Sequence, residues 1–132
     1  MKYSTMHLNK SSSNDFLKLY TLTFILEKGR PVYGKEVISR IRSFHTAWTP
    51  SHGTLYPLLD KMIEEGLIEH SHSKNIKKYY NITEKGKEYY VKEIPKFREM
   101  LISTVDFYTT AVREMESAKE KALAEIYEEE AE

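Results

Sequence analysis

The first apolar segment of the chain, residues 15–28, is apolar on several sides when it is wound as a helix. A helix with this pattern is covered on more than one face, so we predict that it lies within a core. Ser13 or Asn14 is expected to cap its start, and Gly29 is expected to end it. Residues 1–14 are polar and are predicted to form a flexible N-terminal tail.

Two shorter helices are predicted next. The segment from Gly34 to Phe44 places its apolar residues three and four positions apart. The following helix is expected to run from about Ser51 to Glu65, with Gly66 just beyond its end in the left-handed conformation that glycine favours. The buried stripe of this third helix is expected to consist of Leu55, Leu58, Leu59, Met62 and Ile63.

A pair of strands is predicted directly after the third helix. Residues 67–73 and 77–82 are rich in residue types that favour strands, and only three residues join the two runs. We therefore expect a β-hairpin. Thr83 follows it and is placed to cap a further helix.

The pattern beyond residue 90 predicts a long C-terminal helix. Apolar residues recur every seven positions from Ile94 to Ala122, and the segment from Ile94 to Ile126 would span about 50 Å as a straight helix. Pro95 is expected to kink this helix or to force a fresh start. A small domain offers no matching surface of that length, so we predict pairing with a second copy; the alternative is a helix folded over its own domain. The expected dimer contacts are Ile94, Phe97, Leu101, Val105, Tyr108, Val112 and Met115.

This order of elements is typical of a winged helix-turn-helix. The expected fold class is mainly α with a small β-hairpin, an α+β arrangement in which a long dimerisation helix follows the winged domain. The predicted division is a tail at 1–14, a DNA-binding domain at 15–83 and a helical dimerisation region at 84–132.

The charge of the chain is unevenly distributed, although its formal net value is zero. Residues 1–83 hold twelve Lys and Arg against seven Asp and Glu, a net charge of +5, whereas residues 84–132 hold eight against thirteen, a net charge of −5. Residues 1–83 can therefore bind a polyanion, whereas residues 84–132 would repel it. The lack of cysteine excludes disulfides and suits a cytoplasmic protein. No apolar run is long enough for a membrane span, so no membrane partner is expected.

The third helix carries the candidate DNA-reading residues. A recognition helix reads base edges with its N-terminal residues, while nearby amides, hydroxyls and basic side chains hold phosphates. Lysines of the hairpin and basic residues of the second helix are expected to add phosphate contacts. The alternative roles are a helix cap at Ser51 and solvated surface positions elsewhere. The predicted DNA-binding set is Lys35, Arg40, Arg42, Ser51, His52, Gly53, Thr54, Tyr56, Pro57, Lys61, Lys74, Lys77 and Lys78.

Catalytic and metal chemistry find little support in the sequence. His70 and His72, two apart on a strand, would point both imidazoles to one side, but no third ligand has a suitable spacing, so no metal site is predicted. The sequence contains no Gly-rich phosphate loop, no nucleophile elbow and no HExxH motif. We therefore expect neither an enzyme nor a cofactor.

Four sequence blocks stand in a recognisable order. They are the pair Tyr33-Gly34, the block TLYPLL at 54–59, the block EGLI at 65–68 and the block YNITEKG at 80–86. In this order and spacing they resemble the PadR family of transcriptional regulators, and the resemblance covers residues 16 to about 90.

The resemblance implies a winged-helix repressor that acts as a homodimer on a palindromic operator. In that family's pattern, Tyr56 and Pro57 match the Tyr-Pro step of the recognition helix. Many members release DNA when a small aromatic or hydrophobic molecule enters the dimer region, so such an effector is a further expected partner besides double-stranded DNA. A pocket for it would be lined by Phe16, Tyr20, Phe97, Leu101 and Tyr108; the alternative is that these residues are core.

A function of a different class stays open from the sequence alone. Winged helices also serve as protein-interaction modules without DNA binding, and a net charge of zero is compatible with that role. Salt-dependent binding to DNA distinguishes the two functions, because contacts with phosphates release counterions.

Overall fold

Four helices and three short strands make up residues 10–44 and 50–131, the part of the chain that the computed structural model describes. The order confirms the predicted fold class, which is mainly α with a small antiparallel sheet. The elements are α1 (Lys10–Lys28), β1 (Val32–Tyr33), α2 (Gly34–Arg42), α3 (His52–Glu64), β2 (Ile68–Lys74), β3 (Lys77–Ile82) and α4 (Glu84–Ala131).

Helix α1 begins earlier than the sequence predicts. The expected start at Ser13 or Asn14 is wrong, because the helix is already formed at Lys10. Serine is only a moderately poor helix former, so three consecutive serines do not stop a helix whose later turns are packed in a core. Residues 1–9 of the predicted tail lie outside the described residues. The predicted end is confirmed, since Gly29 has a φ of 65° and its amide donates to the Ile25 carbonyl oxygen at 2.9 Å.

A third strand joins the predicted hairpin. The sheet has the order β1-β3-β2, and both pairings are antiparallel. The two-residue strand β1 places Val32 opposite Tyr80 and Tyr33 opposite Tyr79. Two residues are too few to produce a recognisable alternation, which is why this strand was not predicted. It ties the start of α2 to the hairpin.

The core is formed by side chains from α1, α2, α3 and the sheet. In α3 the buried residues are Leu55, Leu58, Leu59 and Met62, as predicted. Ile63 was expected in the same stripe, but 37% of it is exposed, because it lies farther round the helix than the other four. The other main core members are Leu17, Leu22, Phe24, Ile25, Val32, Val37, Ile38, Ile41, Ile68 and Tyr80.

Helix α4 starts at a hydrogen-bonded corner. The Thr83 hydroxyl accepts from the Gly86 amide at 2.9 Å and donates to the Gly66 carbonyl oxygen at 2.6 Å, which confirms Thr83 as the cap. The helix continues through Pro95, so the predicted fresh start there is wrong. Proline removes one hydrogen bond, to the carbonyl of Val91, and that residue is 73% exposed, so water can replace the lost donor.

The chain folds as two compact units, one from Leu8 to Pro95 and one that contains Lys96–Glu132. The first unit holds the core and the sheet described above. The second contains the part of α4 that carries most of the heptad pattern, and this part spans about 54 Å at the usual helical rise. None of the helices in the described ranges combines the length and apolar character that a bilayer span requires.

We expect Gly86→Ala to destabilise the protein by about 2 kcal/mol, the typical cost of overpacking a core. A Cβ at this position would collide with the Leu67 carbonyl oxygen and would lie 2.8 Å from Ile82 Cγ1. The free energy of unfolding in urea measures the effect. Gly53→Ala is the matched control, because its Cβ meets only Ser51 Oγ, at 3.7 Å. Equal losses for both variants would contradict this prediction.

Candidate nucleic-acid interface

The N-terminus of α3 is capped by Ser51. Its hydroxyl oxygen accepts from the Thr54 amide at 3.2 Å, and the two hydroxyl oxygens lie 3.1 Å apart. Ser51, His52, Gly53 and Thr54 are all exposed. The capping role of Ser51 is thus observed, and the first turn of α3 presents small polar residues to a ligand.

One face of α3 points outward from the core. Tyr56, Pro57 and Lys61 are exposed together with Thr54, opposite the buried leucines. This orientation agrees with the predicted recognition face, and the helix continues through Pro57. Contact between these residues and DNA stays a prediction.

The hairpin ends in a basic tip with an apolar residue at its turn. Lys74 pairs with Lys77 in the last register position, and Ser73 pairs with Lys78. Asn75 adopts a φ of 60°, which asparagine tolerates better than most residues, and Ile76 beside it is 97% exposed. An isoleucine so exposed between lysines suits contact with another molecule better than a solvated turn.

A cleft of about 510 Å³ lies where α2, α3 and the hairpin meet. It brings together five members of the predicted DNA-binding set, from three separate parts of the sequence. Three of the five are lysines, so the cleft suits an anionic ligand. The lining residues are Tyr33, Gly34, Lys35, His52, Tyr56, Asp60, Ile76, Lys77, Lys78 and Tyr80.

Other predicted contacts lie away from this cleft. Arg40 and Arg42 are in the last turn of α2, and the Arg40 guanidinium lies 5.2 Å from the centre of the Phe44 ring. Lys61 lines a smaller cleft of about 160 Å³ with Asn14, Asp15, Lys18 and Leu58. The structure thus groups the α2 N-terminus, α3 and the hairpin, but not every basic residue of the predicted set.

Aromatic rings support the basic side chains of the hairpin. Lys77 Nζ lies 4.7 Å from the centre of the Tyr33 ring, which packs edge-on against Tyr79 at 5.2 Å. Burial raises the pKa of the Tyr80 hydroxyl, and the charge of Asp60 raises it further. Tyr80 therefore stays neutral and adds no negative charge to the cleft.

An ion pair fixes the first turn of α2. Two guanidinium nitrogens of Arg30 donate to the Glu36 carboxylate, Nη2 to Oε2 at 2.6 Å and Nη1 to Oε1 at 3.2 Å. The Tyr33 amide also donates to Oε1, at 3.1 Å. Burial raises the pKa of Glu36, but the hydrogen bonds from Arg30 and the Tyr33 amide outweigh it, so the net pKa is lower than usual. A charged Glu36 thus holds the turn that carries Gly34 and Lys35.

Five cleft residues were missed as site residues: Tyr33, Gly34, Asp60, Ile76 and Tyr80. Two signals in the sequence could have indicated some of them. The Tyr33-Gly34 pair was already one of the blocks behind the family resemblance, and an isoleucine in the turn between lysines is unusual for a solvated loop. Tyr80 begins another of those blocks, at 80–86, whereas Asp60 carried no comparable signal.

The two strand histidines do not face the same side, contrary to their spacing. A bulge between His70 and His72 places them opposite Tyr80 and Tyr79, which are neighbours and so point to opposite faces. His72 stacks on the Tyr79 ring at 4.5 Å, and His70 packs against Tyr80 at 6.2 Å. Among the described residues, no group of three His, Cys, Asp or Glu side chains could hold a metal ion.

Most residues predicted at the dimer contact are exposed in the single chain. Ile94 and Phe97 are half-buried, whereas the later members of the set lie on the surface of α4. Those exposed members are Leu101, Val105, Tyr108, Val112 and Met115.

The predicted effector pocket draws its residues from both units. Phe16 and Tyr20 stack on each other within α1, with ring centres 5.7 Å apart, and Tyr20 also meets the edge of Phe44 at 5.5 Å. Phe97, Leu101 and Tyr108 belong to the second unit. A pocket that joins the two groups stays a prediction.

Comparison with known proteins gives a family profile and several similar structures. The profile described as the Transcriptional regulator PadR-like family matches residues 22–92. A PadR family transcription regulator from Clostridium difficile is 26% identical, with a TM-score of 0.57, covering 70% of this chain and 98% of that chain.

Two further structures are similar in fold. A transcriptional regulator from Clostridium thermocellum is 20% identical, with a TM-score of 0.64, covering 76% of this chain and 97% of that one. A PadR-like transcription factor from Bacteroides fragilis is 22% identical, with a TM-score of 0.59, covering 74% and 94%. The comparison with curated proteins found no match.

Proposed function

The chain belongs to the PadR-like family of transcriptional regulators, which are DNA-binding proteins and not enzymes, and we propose that it is a homodimeric repressor that binds a palindromic operator. The observation that carries this proposal is the cleft where the start of α2, the first turns of α3 and the hairpin lysines converge. Three elements that present amides, hydroxyls and cations on one side of a domain match the surface of a DNA duplex.

In the proposed complex, α3 enters the major groove. Ser51, His52 and Thr54 in its exposed first turn are closest to the base edges, since recognition helices read bases with their N-terminal residues. Lys35 and the hairpin lysines hold phosphates on either side. Ile76 at the hairpin tip makes an apolar contact with the sugar edges of the minor groove.

The exposed apolar stripe of α4 supports the proposed dimerisation through this helix. Val105, Val112 and Met115 are each more than half exposed in the single chain, at 59, 51 and 64%. An exposed apolar stripe of this length on a helix is typical of a contact with another helix. Pairing would set the two recognition helices about 34 Å apart, which is one turn of DNA.

A small aromatic or hydrophobic effector and a cytoplasmic place of action complete the proposal. The family resemblance supports the effector, and the stacked Phe16 and Tyr20 rings offer an aromatic surface of suitable chemistry. Binding of the effector to the dimer region would favour a spacing of the recognition helices that does not fit the operator.

Selection of bound DNA from a random pool tests the proposed function. We expect a two-fold symmetric consensus, whose half-site spacing also reports the separation of the recognition helices. Titration of fluorescent DNA at two salt concentrations then separates a DNA-binding regulator from a protein-interaction module. Absent or salt-insensitive binding would favour the module.

A further inference from the structure

We infer that Gly34, Tyr56 and His52 form a relay of contacts that sets where the His52 imidazole meets a base edge. His52 is the residue that touches DNA in this inference, and Gly34 and Tyr56 are positioning residues that act through it. The inference rests on the proposed function, because it concerns base reading by the same surface. It assigns base discrimination to His52 of α3. It also explains why a glycine, Gly34, stands at the start of α2.

The first contact is between Gly34 and the Tyr56 ring. A Cβ at Gly34 would lie 2.8 Å from Tyr56 Cε1, 2.9 Å from Cζ and 3.0 Å from the hydroxyl oxygen. The ring therefore lies directly on the backbone of the first turn of α2. Gly34 does not have the positive φ of Gly29 and Gly66, so its backbone conformation does not require glycine. Glycine is favoured there because the Tyr56 ring, where it lies in this structure, leaves no room for a Cβ.

The second contact is between Tyr56 and His52. They are four residues apart on α3, on the same side of the helix, and their rings stack with centres 5.5 Å apart and planes 15° apart. His52 is exposed and begins α3, and Tyr56, one turn later, is 39% exposed. The stack restricts the rotamers of an imidazole that would otherwise be mobile in solvent. The position of Tyr56 thus determines the position of His52.

An imidazole fixed at the first turn of a recognition helix can discriminate between base pairs. One ring nitrogen can donate to N7 or O6 of guanine, which the major groove exposes side by side. A single hydrogen bond of this kind discriminates by up to about tenfold against a base pair that lacks the acceptor. Because the donor must be aligned with the acceptor, a displaced imidazole loses discrimination while phosphate contacts elsewhere keep the protein on DNA.

Gly34→Ala tests this relay with little damage to the fold. The atoms that a new Cβ would meet are at the far end of the Tyr56 side chain, which can swing aside, and not in the backbone. Affinities are measured by fluorescence anisotropy for the selected operator and for each single base-pair change in a half-site. We expect His52→Ala to reduce the preference at one base pair about tenfold, and Tyr56→Ala and Gly34→Ala to reduce it at the same base pair.

The double variant Gly34→Ala/Tyr56→Ala separates positioning from general structural damage. If Gly34 acts through Tyr56, the double variant discriminates no worse than Tyr56→Ala alone. Tyr56→Phe keeps the ring and is expected to keep the preference. Ser39→Ala, at an exposed position of α2, is the matched control and is expected to leave every affinity unchanged.

Four results would overturn the inference. The first three are equal weakening of binding to all DNA sequences by His52→Ala, additive losses of discrimination in the double variant, and loss of preference at different base pairs for Gly34→Ala and His52→Ala. Failure of the proposed function looks different, because the unsubstituted protein would then select no sequence. The melting temperature of each variant identifies a substitution that acts by unfolding the protein. The fourth result against the relay is a Gly34→Ala protein that has the melting temperature of the unsubstituted protein and keeps full discrimination.

Discussion

Glutamate at both Leu101 and Tyr108 is expected to convert the proposed dimer into monomers and to weaken operator binding at least about 100-fold. Leu101 and Tyr108 are 37 and 41% exposed in the single chain and lie seven residues apart on one face of α4. In a paired stripe each would contact the partner helix. Two carboxylates per chain place four like charges in an apolar seam, which is costly because a buried charge loses its hydration.

The loss of affinity follows from the loss of the second DNA-binding domain. In a dimer, when one domain binds its half-site, the other domain is held near the second half-site at a high effective concentration. A monomer lacks this advantage. Analytical ultracentrifugation measures the association, and a titration with a complete operator and a single half-site measures the two affinities. We expect the double variant to bind both DNAs with similar weakness.

Thr110→Glu with Ser117→Glu is the matched control for this prediction. These exposed positions lie on the opposite side of α4 from the apolar stripe and add the same two charges. They should leave dimerisation intact. A Leu101→Glu/Tyr108→Glu protein that still sediments as a dimer would place the pairing surface elsewhere.

Replacing Lys74, Lys77 and Lys78 together by glutamine is expected to flatten the salt dependence of DNA binding. Each phosphate contact contributes about 0.9 to the slope of log K against log salt, so six lysines in a dimer account for up to about 5.4. All three are exposed at the hairpin, and two of them line the cleft. Lys77 lies over the Tyr33 ring, an interaction worth only about 1 kcal/mol or less at an exposed site, so it can turn to a phosphate.

The same number of charges removed from α4 provides the control. The exposed residues Lys92, Lys119 and Lys121 lie outside the proposed DNA interface. Their replacement by glutamine should therefore leave the slope of log K against log salt nearly unchanged. Affinity measured between low and high salt gives both slopes. An unchanged slope in the hairpin variant would exclude the hairpin from the interface, whereas equal flattening in both variants would indicate attraction by net charge alone.

The helical parts of the fold could be predicted because each has a pattern long enough to be recognised. The stripe of Leu55, Leu58, Leu59 and Met62, together with Ser51 before it and Gly66 after it, defined α3 almost to the residue. The strand β1 and the early start of α1 were missed. A two-residue strand exists only because Tyr79 and Tyr80 pair with it, and such long-range pairing leaves no local pattern.

The candidate site could be predicted only where a single element carries it. The outward face of α3 follows from helical periodicity, so its exposed residues were correctly oriented. The cleft also depends on Tyr33 and Tyr80, which are 47 positions apart in the sequence. The bulge that turns His70 and His72 to opposite faces was equally hidden, because one unpaired residue shifts the register without a characteristic residue type.

The short strand β1 has a consequence for the thermodynamics of DNA binding. Tyr33 pairs with Tyr79 of the hairpin and is followed directly by Gly34 of α2, so the two walls of the cleft share one hydrogen-bonded ladder. A hairpin anchored in this way loses little conformational entropy when it meets a duplex, since its orientation is already set. Amide hydrogen exchange at Val32 and Tyr80, the register pair whose amides face each other in this ladder, should accordingly be slow and nearly the same with and without DNA.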